Sequence, residues 1–170
     1  MKLIVHHSTV DLNGCGGSLI APDVVLTAAH CGNLDGESVL VGALKRQKAT
    51  HGAVWRNVVT YVADPTYDDY TLANDFALLQ LDSPVVLSTP IELEINDQYA
   101  VPADGEDLTV MGFGLTKYNG NKLSNKLRDV EVQAIDTDTC NEPSSYGGLV
   151  QDDTMFCAGT IRFSISKDSS

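Results

Sequence analysis

The sequence predicts an all-β protein built as a barrel or a sandwich, and three observations predict it. Short apolar runs recur along the chain, separated by clusters of Gly, Pro, Asn and Asp. β-Branched residues dominate several of these runs, most plainly VVTYV at Val58–Val62. No stretch carries the apolar spacing of a long amphipathic helix.

Taken in order, the candidate strands are Gly17–Ile20, Val24–Thr27, Ser38–Val41, Val58–Val62, Phe76–Leu81, Leu108–Gly112 and Val130–Ala134. Ala21-Pro22-Asp23 joins the first two, with the turn residues such a connection favours. Asp136–Asn141 (DTDTCN) reads as a single helical turn, with Asp136 or Thr137 as its cap. Ser88–Gly105 contains Pro90 and Pro102 and sits in a strongly acidic stretch, so it reads as a solvated connector between two halves. The chain divides on this reading into an N-terminal unit at 1–90, a connector at 91–107 and a C-terminal unit at 108–170.

Composition excludes several functions. The 170 residues are 43% hydrophobic and 20% charged, an ordinary balance for a water-soluble fold. The net charge of −12 repels nucleic acid, so no nucleic-acid partner is expected. No apolar run approaches the roughly 18 residues of a membrane span, so no membrane partner is expected either. The first residues, MKLIVHHSTVDLNG, lack the apolar core of a secretory signal. His6 and His7 are neighbours and point to opposite faces of a strand, so they do not converge with His30 or His51 on a metal.

Four cysteines, Cys15, Cys31, Cys140 and Cys157, allow three pairings. None forms a C-x-x-C, which argues against zinc and redox motifs. An even count in two local pairs suggests an oxidising compartment.

Chemistry concentrates at two places. Cys15–Cys31 reads CGGSLIAPDVVLTAAHC, and puts His30 between Ala29 and Cys31 at the end of the second candidate strand. A lone histidine among apolar residues is ordinarily packed core. A bridge from Cys31 back to Cys15 would instead fix its neighbour rigidly, as a general base requires. Asn74–Leu81 reads NDFALLQL, with Asp75 at the mouth of an apolar strand, 45 residues beyond His30. An Asp in that place is ordinarily a turn residue.

Together these motifs resemble the trypsin-like (chymotrypsin-fold) serine endopeptidases, whose TAAHC histidine and D-x-A-L-L-x-L aspartate belong to the catalytic triad. Further segments extend the resemblance. LTVMGFGLT (Leu108–Thr116) is similar to the opening of the family's second barrel, with Phe113 where Trp is usual. KLRDVEVQAIDTDTCNE (Lys126–Glu142) and MFCAG (Met155–Gly159) are similar to its two half-cystine segments. The resemblance implies a fold of two six-stranded antiparallel β-barrels, the second one incomplete. It pairs Cys15 with Cys31 and Cys140 with Cys157. It makes His30 the base and Asp75 its orienting acid, with Thr27 a neighbouring donor to that carboxylate. It also implies a secreted monomer that acts on a protein or peptide substrate or partner and needs no cofactor.

Other parts of the family pattern are missing. KDS at Lys167–Ser169 matches the start of the family's KDSCQGDSGGP, which makes Asp168 the base of the specificity pocket. No GDSGG follows within these residues, so the nucleophile Ser and oxyanion hole are absent, and neither Ser169 nor Ser170 is placed to substitute. The Ile-Val-Gly-Gly start is absent as well. The chain reads as truncated at both ends and as inactive by itself; the alternative is a non-catalytic homologue that serves as a secreted binding, decoy or inhibitor protein. The stretch comparable to the family's calcium loop, Leu44–Trp55, has no carboxylate, so no calcium or other metal is expected.

Overall fold

A computed structural model describes residues 15–46, 48–49, 52–86, 101–117 and 119–160. Its first sheet joins β1 (Gly17–Ala21), β2 (Val24–Thr27), β3 (Ser38–Val41), β4 (Val54–Ala63) and β5 (Ala77–Leu81) in the order β1-β2-β5-β4-β3. Its second joins β6 (Asp107–Gly112), β7 (Arg128–Ile135) and β8 (Cys157–Gly159), with the short helix α1 (Thr137–Cys140) between β7 and β8. Every strand pairing within the two sheets is antiparallel. The architecture is all-β, and the first sheet curls into half a barrel.

The strands form where alternating side chains can be buried on one face. In β5, Ala77, Leu79 and Leu81 face inward while Leu78 and Gln80 face out. The inward residues meet Val25 of β2, Val39 and Val41 of β3, Val58 of β4, and Leu34 and Val85 from flanking loops. Full burial of a side chain such as Leu79 stabilises by about 1.5–3 kcal/mol.

β4 runs from Val54 to Ala63, twice the length of the expected Val58–Val62. Its first half pairs with β3 through Ser38↔Asn57 and Val41↔Val54. Its second half pairs with β5 through Val58↔Leu81 and Ala63↔Ala77, with an irregularity between Val58 and Thr60. The added residues include Arg56 and Asn57, whose polarity hides them from a search for apolar runs. Arg56 instead donates from Nε to the Ser83 carbonyl at 3.1 Å and from Nη2 to the Pro84 carbonyl at 2.9 Å, tying β4 to the turn after β5.

The second sheet differs from expectation at two points. β7 extends to Arg128–Ile135, and CAG at Cys157–Gly159 is itself a strand, paired to β7 by Gln133↔Gly159 and Ile135↔Cys157. The helical turn forms as expected: the Asp136 carboxylate accepts the Thr139 N–H at 3.2 Å and caps α1. The segments after β3 and before β7 are joined by backbone hydrogen bonds, Arg46 N–H to the Asn125 carbonyl and Leu127 N–H to the Leu44 carbonyl, both at 3.1 Å. No helix among the described residues is long and apolar enough to cross a membrane.

Candidate active site

β2 delivers the chain to the site and then stops. Thr27 ends the strand, Ala28 stays extended, and Ala29–Cys31 closes one turn of 3₁₀ helix. Gly32 then turns at φ 79°, a left-handed value suited to glycine, and its N–H returns to the Ala29 carbonyl at 3.0 Å. His30 therefore stands on a tight turn beyond the strand rather than at the end of the strand itself. That turn is held from two sides. Cys31 is bridged to Cys15 and sinks into the first-sheet core. On the other side, the Tyr61 hydroxyl of β4 donates to the Ala29 carbonyl at 2.9 Å.

Asp75 arrives from the opposite direction. Residues 64–74 fold on themselves through Asp64, which accepts from the N–H and hydroxyl of Thr66, and through Asp68, which accepts from the N–H groups of Tyr70 and Thr71. Both carboxyls are held below the usual range, Asp64 first by the Thr66 hydroxyl and Asp68 first by the Tyr70 N–H. Asn74 adopts φ 55°, a conformation Asn tolerates better than most residues, and turns Asp75 toward β2 before β5 begins at Ala77.

The two meet as a double contact. His30 Nδ1 lies 2.6 Å from Asp75 Oδ2, and the His30 backbone N–H donates to Oδ1 at 2.8 Å. One carboxylate thus grips both the ring and the main chain of the same residue. Burial is the largest influence on the Asp75 carboxyl and pushes it up. Hydrogen bonds from the His30 ring, from the His30 and Ala29 backbones, and attraction to His30 together outweigh it and hold the carboxyl below the usual value of 3.8. The same negative charge, second to burial, raises the Tyr61 hydroxyl. The imidazole is 53% exposed and the carboxylate 21%, so the pair sits at a surface. With Nδ1 engaged by Asp75, Nε2 faces away from the carboxylate and has no hydrogen-bond partner among the described residues. An imidazole oriented this way can accept a proton at Nε2 while the carboxylate stabilises the resulting cation.

Thr27 requires a correction. Its hydroxyl donates to the Gly16 carbonyl at 2.7 Å, not to Asp75. Thr27 is paired with Gly17 of β1, beside Gly16, and backbone N–H groups of Ala29 and His30 supply the carboxylate instead. Tyr61 is a member of the site that the sequence did not disclose; nothing in VVTYV marks one residue as a support for a turn in β2. Asp168, His6, His7 and His51 lie outside the described residues.

Cys140 and Cys157 form the second disulfide, which ties α1 to β8. Among the described residues, Cys15, His30 and Cys31 are the group of potential ligands close enough to share a metal ion, with ligand atoms within 4.8 Å of one another. Both sulfurs are consumed by the bridge, so no metal set remains there. A hollow of about 480 Å³ beside the second disulfide is lined by Ile135, Tyr146, Met155 and Phe156 among others, with no carboxylate, imidazole or cationic side chain.

The described residues thus combine two antiparallel β-sheets with an oriented His–Asp couple on the turn after β2. The trypsin family model matches residues 3–167, and the chain belongs to the trypsin family. It is similar to "Trypsin" from Simulium vittatum, at 35% identity over 92% of this chain and 60% of that protein. It is also similar to "Trypsin Blo t 3" from Blomia tropicalis, at 31% identity over 86% of this chain and 56% of the relative. The chain therefore spans less than two thirds of the length of these relatives.

Proposed function

We propose that the chain is the His- and Asp-bearing part of a secreted trypsin-like serine endopeptidase. The observation that carries this reading is the double grip of Asp75 on His30, through Nδ1 and through the backbone N–H. His30 takes the proton of a serine hydroxyl at Nε2 and later gives it to the leaving amine; Asp75 fixes the tautomer and offsets the imidazolium charge. On this reading the chain divides into a first barrel at 1–90, a connector at 91–107 and a second barrel at 108–170, and its KDS context assigns Asp168 to the specificity pocket. Two disulfides support an extracellular setting.

The 170 residues contain no Gly-Asp-Ser-Gly-Gly segment, so by themselves they hold the base and its partner without a nucleophile. Loss of a triad nucleophile removes orders of magnitude of rate. The retained His30–Asp75 geometry favours the protease reading over a binding or decoy homologue, which has no chemical need for it.

The test compares two polypeptides against Lys- and Arg-containing peptide amides and a fluorophosphonate probe for activated serine. Residues 1–170 alone should neither hydrolyse nor label. The same residues joined in frame to a nucleophile segment of a trypsin relative should do both. Asp75→Asn should then lower turnover by about 10⁴, because the imidazole is left in the wrong tautomer. Full activity in Asp75→Asn, or in His30→Ala, defeats the reading.

A further inference from the structure

We propose that Lys45, Arg46, Lys48 and Lys126 form a docking surface for a short acidic segment of another protein. The chain has only 11 Lys and Arg against 23 Asp and Glu, so positive charge is scarce. Lys45, Lys48 and Lys126 nonetheless occupy bridged positions between the segments flanking β3 and β7, with Arg46 next to Lys45 in the chain. Lys45 is bridged, antiparallel, to both Lys48 and Lys126. The Arg46 N–H reaches Asn125, the residue before Lys126. Like charges set directly opposite one another destabilise a pairing. Here three lysines from two distant segments are so placed, and no carboxylate among the described residues pairs with them. Among the described residues the one ion pair is His30–Asp75, and none of these four side chains has a hydrogen-bond partner.

Arg46 adds a second observation. Its Nε is enclosed by protein without a hydrogen-bond partner, although the residue as a whole is only half-buried. Enclosing a donor in this way is unfavourable. Arg128, two residues after Lys126, is different: its Nε donates to the Ser124 hydroxyl at 3.0 Å and is tied down internally.

The chemistry of the partner follows from what surrounds the cations. Leu44 is 51% exposed beside Lys45, and offers an apolar contact that a sulfated sugar cannot use. The rest of the molecule is strongly negative, so a long polyanion running past the patch meets repulsion. A short stretch of Asp and Glu around one aliphatic residue meets the cations, covers Leu44 and ends before the acidic surface begins. Arg supplies bidentate contacts to such carboxylates, and the lysines supply point charges. The surface does not depend on His30, Asp75 or any hydrolytic step.

The test uses the full-length protein and a fluorescein-labelled peptide of Asp and Glu flanking a single Leu, read by anisotropy. Saturable binding at low salt is expected, weakening as salt is raised. The exposed double reversal Lys45→Glu with Lys126→Glu should weaken it about tenfold or more, since unlike pairs become like pairs. Leu44→Ser should weaken it by a smaller factor. Lys48→Glu repeats the test should the double variant lower the melting temperature. Absence of saturable peptide binding, or affinity unchanged by both reversals, overturns the proposal. So does capture of a sulfated oligosaccharide or an oligonucleotide at these residues when the peptide does not bind.

Discussion

At the scale of single residues, Asp75 is where the structure concentrates its electrostatics. Its carboxyl is raised by burial yet held below 3.8 overall by what His30 and Ala29 donate. A carboxyl with a depressed folded value stabilises the fold above its unfolded value and loses that contribution as pH falls through the folded one. Denaturant titrations of the chain and of Asp75→Asn across acid pH should therefore differ most above 3.8 and converge below it. A difference that stays constant through that range would mean the carboxylate is not linked to folding. The couple itself was legible in the sequence, because TAAHC and NDFALLQL each carry their residue in a fixed local frame. The shell around it was not. The resemblance implies Thr27 as a donor to Asp75, but its hydroxyl goes to the Gly16 carbonyl. Tyr61 reaches Ala29 across 32 residues of sequence, and no local pattern encodes such a contact.

At the scale of elements, legibility tracked how well a strand was bracketed. β2 and β3 match expectation at both ends, because turn residues flank an uninterrupted apolar run. β4 was half seen, since its pairing with β3 runs through Trp55, Arg56 and Asn57, which outwardly resemble a loop. β8 was read only as half of a disulfide, being three residues long. The β1–β2 hairpin shows how closely some elements are fitted. A Cβ built on Gly17 would lie 2.7 Å from Val25 Cγ1 and 3.0 Å from the Leu26 carbonyl, and Val25 is a core residue that cannot swing away. Gly17→Ala should consequently destabilise the protein by about 1–3 kcal/mol through overpacking. Equilibrium unfolding measures this directly. A change within about 0.5 kcal/mol, the range typical of surface positions, would show that β1 and β2 part at no cost.

At the scale of the whole molecule, the two sheets are unequal. The first has a continuous core of Val25, Val39, Val41, Val58, Leu79 and Leu81, each at most 5% exposed. Burial around the second rests on Phe113, Ala134 and the Cys140–Cys157 bridge, while Val110 and Val130, directly paired across β6 and β7, are each 52% exposed. This inequality follows from sequence only in part. The alternation in ALLQL announces a buried face, whereas the runs in β6 and β7 look equally apolar and give no sign that their faces stay wet. Local opening is set by how much apolar surface each unit buries, so the units should not open together. Native-state hydrogen exchange on the 170-residue chain should find the slowest amides in β2, β4 and β5, exchanging near the global unfolding limit. Amides of β6 and β7 should exchange faster, by roughly tenfold for each 1.4 kcal/mol of lower opening energy. Closing the Cys140–Cys157 loop restricts the unfolded ensemble and so stabilises the fold by about 3 kcal/mol in the chain-entropy account. Reduction under conditions that spare the buried Cys31 sulfur should therefore widen the gap. Equal protection in both sheets, before and after reduction, would mean that the bonds from Arg46 to Asn125 and from Leu127 to Leu44 couple them into one cooperative unit despite the difference in burial.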